Sequence, residues 1–218
     1  MKYKWIAVSA GVLLLVLSAT NLSAVLTDEH LRYHQHEQRP AYTPCADHGD
    51  ETLCSHLPLV LINTGGEAIP GVPIPDGDGD RQDDAFTTTA DGSTLLRASI
   101  AVVDHVNGNN HPADLPTLES TIDIRVRGNS SRYFDKHSYL IKTLTDNGAS
   151  SRDVAMLGMQ EFDEWALYGP YLDKSLIRNY MWYNLAGELM DYAPNVRFCE
   201  VLLNGEYQGL YVMTETIN

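Results

Sequence analysis

Residues 127–142, RGNSSRYFDKHSYLIK, place a Gly-Asn-Ser-Ser turn between two short runs of strand-forming residues and surround it with fixed cations. Arg127 stands before the turn and Arg132 after it, with Gly128, Asn129 and Ser130 between them. Two guanidinium groups and several free backbone N–H groups can therefore face one small volume, a combination that suits phosphate oxygens. Lys136 follows within the next few residues. The simpler reading of the same residues is a polar hairpin turn, so the elements that must position them carry the decision.

The chain has 218 residues and a formal net charge of −14. That length allows one sizeable domain plus a tail. The charge argues against nucleic acid as a partner, because phosphate backbones select basic surfaces, and it makes the cations around Arg127 conspicuous. Lys2 and Lys4 precede an uncharged stretch from Trp5 to Leu26, closed by Asp28 and Glu29. Residues 1–26 are expected to be a signal peptide or membrane anchor with the N-terminus inside, residues 5–26 meeting the membrane. The protein is thus expected to be exported, either anchored and facing outside or secreted to the cell surface. Leu22 is larger than a signal peptidase site prefers, which favours the anchor.

Residues 27–56 are charged and His-rich with no apolar period, and are expected to be a polar spacer. Cys45 and Cys54 lie close enough for a local disulfide in an oxidising compartment, leaving Cys199 free as a small buried hydrophobe. His30, His34, His36, His48 and His56 with these cysteines match no closed zinc spacing. Asp76, Asp78 and Asp80 have the spacing of a calcium loop, but Arg81 occupies its glycine position and Thr87 its bidentate glutamate position. An acidic surface loop is the expectation there.

The domain is expected over residues 57–218. Strands are expected at LPLVLINT (57–64) and LLRASIAVVDH (95–105), and the alternating TIDIRVR run pairs across the GNSS turn with HSYLIKT as a β-hairpin. DVAMLGM predicts a short helical turn and EWALYG a strand. Asp173 or Ser175 can cap a helix running to about Met190, with Leu176, Met181, Leu185 and Leu189 as its apolar face. RFCEVLLNGEYQGLYVMTE predicts two strands joined through Asn204-Gly205. The fold class is α+β, an antiparallel sheet with one main helix.

With those elements in order, the sequence resembles the CotH family, the spore-coat protein H kinases and their exported relatives. The resemblance rests on LPLVLINT, on RGNSS with Arg132, Phe134, Lys136 and Ser138-Tyr139, on EWALYG, on DKSLIRN and on NGEYQGLYVMTE. It implies a kinase-like N-terminal lobe, in which positioning and charge neutralisation do most of the catalytic work. It implies ATP with a divalent metal, Mg or Mn, as cofactor and a Ser/Thr-containing coat or surface protein as substrate. The RGNSS turn would stand for a glycine-rich loop, with Arg127 and Arg132 near the phosphates.

By the same resemblance Lys136 matches the lysine before Ser-Tyr, Glu188 pairs with it as a buttress, and Glu215 lines the nucleotide pocket. Lys142 matches no motif position and ranks below Lys136. Asp173, Arg178 and Asn179 match DKSLIRN, and helix capping with a local ion pair accounts for them equally well. Trp165, Tyr168, Tyr171, Trp182 and Tyr183 read as core rather than as an adenine platform. The catalytic base and the metal-holding aspartate have no counterparts here, which implies a longer protein whose N-terminal piece is inactive alone. The alternative is a non-catalytic surface or coat module, structural or carbohydrate-binding.

Overall fold

Alternation along each strand decides which side stays dry, because successive side chains point to opposite faces. In the computed structural model, residues 30–38, 53–75, 85–105 and 108–216 are described. The stretch expected to meet the membrane, most of the spacer including Cys45 and His48, and the Asp76, Asp78 and Asp80 loop lie outside the described residues. No helix among the described residues is long and apolar enough to cross a membrane. The chain divides into two compact units, Met1–Leu31 and Arg32–Asn218.

Seven strands form the domain: β1 (Leu59–Asn63), β2 (Leu96–Val103), β3 (Leu118–Arg127), β4 (Ser138–Leu144), β5 (Glu164–Tyr168), β6 (Val196–Leu203) and β7 (Glu206–Glu215). They run in the order β1-β2-β3-β4-β5-β7-β6 and close into a barrel. All neighbours are antiparallel except β1 and β6, which pair in parallel from Leu59 opposite Glu200 to Ile62 opposite Leu203. Inside lie Val60, Ile100, Ile122, Ile124, Ile141, Trp165, Leu167, Val201 and Met213, among others. A 12-residue helix, Arg178–Leu189, connects β5 to β6 and packs against β6.

This corrects the expected fold class. The α+β lobe with an antiparallel sheet is replaced by a closed, mixed β-barrel with one long helix outside it. The hairpins foreseen from the sequence are present: β3 with β4 across the GNSS turn, and β6 with β7 across Asn204-Gly205. Asn204 (φ 52°) and Gly205 (φ 84°) both take the left-handed conformation that a tight two-residue hairpin requires. What overturns the lobe is that β7 pairs with β5 while β6 reaches β1, so the last hairpin bridges both ends of the preceding meander. Local alternation carries no information about such a distant partner.

The helix also faces differently from expectation. Met181, Leu185 and Leu189 are 44%, 43% and 77% exposed, so the predicted apolar face is turned outward. The buried side is built by polar and aromatic residues instead: Asn184 is buried, and the Tyr180 ring stacks on Phe198 at 4.5 Å. Leu176, expected on the same face, precedes the helix at a left-handed φ of 63°. Of the cysteines, Cys54 is disulfide-bonded and Cys199 is free and buried in β6.

Trp165 is completely buried on β5, and its indole N–H donates to the Phe162 carbonyl at 3.1 Å. Replacing it by alanine removes the largest buried side chain and leaves a cavity in the barrel. Trp165→Ala is expected to lower unfolding stability by about 3–5 kcal/mol, read as a fall in the urea midpoint at unchanged slope.

Candidate functional site

The inward turn of Ile124 and Val126 on β3 sends Arg125 and Arg127 to the outer face of the barrel. There they border a cleft of about 530 Å³ roofed by the long helix, within the range typical of small-molecule sites. Leu140 and Lys142 enter it from β4, Glu164, Ala166 and Tyr168 from β5, Thr214 and Glu215 from β7, and Asn179 and Tyr183 from the helix. Leu95, Leu140, Ala166 and Pro194 give it apolar wall, and Thr94, Thr214 and Thr216 add hydroxyls.

The charges are held unequally. Lys142 lies directly across from Glu164 in the β4–β5 register, and its Nζ is 3.1 Å from Glu164 Oε2. Glu215 is buried, and its carboxylate accepts from the Asn195 backbone N–H at 2.7 Å and from Asn195 Nδ2 at 2.9 Å. Arg125 and Arg127 have no carboxylate partner among the described residues. Two neighbouring guanidiniums on one strand face repel each other, and an anion between them removes that repulsion. The cleft is therefore a local excess of positive charge in a strongly acidic chain.

Of the residues weighed as site candidates from the sequence, Arg127, Glu215, Asn179 and the lower-ranked Lys142 meet here, and the others lie elsewhere. Gly128, at a φ of 114°, and Asn129 lead into a 3-10 turn, Ser130–Tyr133, beyond the end of β3. Arg132 folds back on that turn: its Nε donates to the Gly128 carbonyl at 2.6 Å, and its guanidinium stands 4.5 Å over the Phe86 ring. Desolvation lowers the Arg132 pKa from its ordinary value. Lys136 donates to the Leu210 carbonyl at 2.8 Å and sits 4.5 Å over the Tyr211 ring, where burial pushes its pKa down. Glu188 meets His34 Nε2 at 3.0 Å and not Lys136. The structure thus separates Lys136 from the cleft and puts Lys142 in it.

Arg125, Glu164, Tyr168 and Tyr183 were not singled out as site residues by the sequence. The i, i+2 spacing of Arg125 and Arg127 on an alternating strand was the available signal, since it assigns both to one face. Tyr168 and Tyr183 read as core because an aromatic lining a polar cleft has the same spacing as one packed in a core. Trp165 is core as expected, whereas Trp182 is 59% exposed and the Tyr171 ring stacks on Phe134 at 4.9 Å.

A larger groove of about 780 Å³ lies over β1, β2, β3 and β6 and carries Glu119 and Asp146 but no cation. It has no means of neutralising an anionic ligand. Among the described residues no three His, Cys, Asp or Glu side chains cluster as a metal site.

Residues 124–218 match the family model described as CotH kinase protein. The resemblance to the CotH family holds over that stretch. No curated protein matches the chain. The CotH match begins one residue before Arg125 and takes in all three cleft cations, the helix and the β6–β7 hairpin.

Within the CotH-matched stretch, Asp173 ties down the start of the helix. Its carboxylate accepts from Ser175 Oγ at 2.6 Å, Ser175 N–H at 3.0 Å and Arg178 N–H at 2.8 Å, and Arg178 Nε lies 3.4 Å away. The Ser175 hydroxyl, with the two backbone donors, lowers the Asp173 pKa from 3.8. A depressed folded-state pKa contributes stability above the unfolded value and loses it as pH falls through the folded one. Acidification below 3.8 is therefore expected to loosen the helix entry, with faster amide exchange at Arg178 and Asn179. In Asp173→Asn that acid-dependent component is expected to vanish.

Proposed function

We propose that this domain is the nucleotide-binding part of an exported CotH-like atypical serine/threonine protein kinase, with ATP held in the cleft under the helix. The observation that carries this reading is that Arg125, Arg127 and Lys142 line one cleft together, beside the apolar Leu95, Leu140, Ala166 and Pro194. Phosphoryl transfer depends chiefly on positioning the phosphates and neutralising their charge. Arg125 and Arg127 are suited to bidentate contact with phosphate oxygens. Lys142, oriented by Glu164, supplies a compact charge beside them. Leu140 and Ala166 offer an apolar surface to the base, with Asn179 and Tyr183 closing over it.

The residues present fit phosphate oxygens. They do not by themselves fit a divalent ion, because the cleft carboxylates Glu164 and Glu215 are engaged by Lys142 and Asn195. Mg or Mn enters this proposal only as the partner of ATP. The proposed substrate is a serine- or threonine-containing coat or surface protein. The uncharged stretch from Trp5 to Leu26 behind Lys2 and Lys4 supports export, with the domain outside the membrane, anchored or secreted.

Equilibrium binding of ATP with Mg to the full chain tests the cleft. Lys142→Ala and Arg127→Ala are each expected to weaken binding about tenfold or more, the scale of a lost charge-assisted contact. Lys136→Ala, which removes only the contacts to Leu210 and Tyr211, is expected to change it less than threefold. The reverse order moves the site to the GNSS turn, and no ATP binding by the wild-type chain defeats the nucleotide reading. Transfer of labelled phosphate to a serine substrate separates a kinase from a surface module that binds ATP without chemistry.

A further inference from the structure

Glycine is disfavoured in a helix relative to alanine, yet Gly187 occupies the last turn of the long helix. Its neighbour explains it. A Cβ at Gly187 would overlap the guanidinium of Arg32, which lies across the helix and donates to the carbonyls of Tyr183, at 3.2 Å, and Ala193. The missing side chain is a notch, and Arg32 fills it.

The residues that follow continue the grip. Tyr33 N–H donates to Asn195 Oδ1 at 3.1 Å. His34 bonds Asn184 Oδ1 through Nδ1 at 3.2 Å and meets Glu188 through Nε2 at 3.0 Å. Gln35 is buried, and its side chain bonds both backbone groups of Phe198 on β6: Nε2 donates to the carbonyl at 2.9 Å and Oε1 accepts the N–H at 2.7 Å. His36 Nδ1 reaches the Tyr180 hydroxyl at 2.7 Å. Five consecutive residues from the far end of the sequence thus bind one helix and the strand after it.

Two of these contacts lead to the cleft. Arg32 holds the backbone of Tyr183, whose side chain lines it. Tyr33 holds the side chain of Asn195, a residue whose Nδ2 and backbone N–H both donate to the Glu215 carboxylate. We propose that Arg32–His36 is a positioning strap for the cleft: it presses the helix carrying Asn179 and Tyr183 onto the barrel and fixes the amide that orients Glu215. Among the described residues, the strap touches the lining residues of the proposed ligand site only through the Tyr183 carbonyl. Its consequence for affinity rests on the nucleotide reading above.

Gly187→Ala separates this role from a merely structural one. The added methyl raises intrinsic helix propensity and evicts Arg32, so a structural account expects an unchanged or firmer helix. The strap account expects Gly187→Ala and Arg32→Ala in the full chain to weaken ATP binding alike, by about tenfold, with the double variant no weaker than either single one. Both are expected to speed hydrogen exchange at residues 179–186 and at the Asn195 side-chain amide, while strand amides of the barrel stay protected. Unchanged affinity beside a loosened helix overturns the proposal, as does unchanged exchange in both variants. If wild-type protein binds no ATP, the nucleotide reading fails, and exchange at Tyr183 and Asn195 alone decides the strap: acceleration supports it and its absence overturns it.

Discussion

The parallel pairing of β1 with β6 is the constraint on which the rest of the structure depends. Without it the strands form an open meander with unpaired backbone groups at both ends, the arrangement that invites edge pairing with other chains. With it the sheet closes, and no main-chain edge remains on either of those two strands. Closure also bends the sheet enough to give one side wall a hollow outer face beneath the helix. The junction is fastened at its end by Asn204, whose Oδ1 accepts the Thr64 N–H at 2.8 Å across 140 residues of sequence. The turn that makes the last hairpin is thus also the clasp of the barrel.

Charge is distributed by the same geometry. Arg97 meets Asp123 on the outer face of β2 and β3 at 2.7 Å, and Lys142 meets Glu164 one strand further on. Arg125 and Arg127 line the cleft beside these neutralised pairs, with no carboxylate partner of their own among the described residues. Their positive field is therefore a result of register: a shift of one residue would turn both to the interior and bring Ile124 and Val126 out. The hydrophobic filling of the barrel fixes that register, so the core and the anion site are specified by a single alternating run of residues.

Much of this was legible in the sequence, and the limits have physical reasons. All seven strands fall where alternation and turn residues put them, because these are local signals. The long helix ends where expected but begins only at Arg178, beyond the Asp173 and Ser175 expected to cap it. The Asn204-Gly205 turn was readable since few other residue pairs tolerate its conformation. Closure was not, because which strand lies beside which depends on contacts far apart in sequence. The apolar period of Met181, Leu185 and Leu189 pointed to a buried face, but the helix lies over a polar cleft and its inward side is made by Tyr180, Tyr183 and Asn184. For the site, motif order drew attention to Lys136 and Arg132, whose ammonium and guanidinium are used up on backbone carbonyls and aromatic rings. The alternation that exposes Arg125 and Arg127 on one face was present, yet it competes with the louder signal of a glycine-containing turn.

Cys199 sits at the heart of β6, wholly enclosed, and burial raises its thiol far above the ordinary range. A thiol in that state is neither a nucleophile nor a ligand. Oxidants and alkylating agents reach it only when β6 parts from β1 or β7, so its modification depends on how often the seam opens. The chain in effect carries its own chemical clock for barrel integrity. Oxidative damage there records openings of the fold, scaled by how much oxidant is present when it opens.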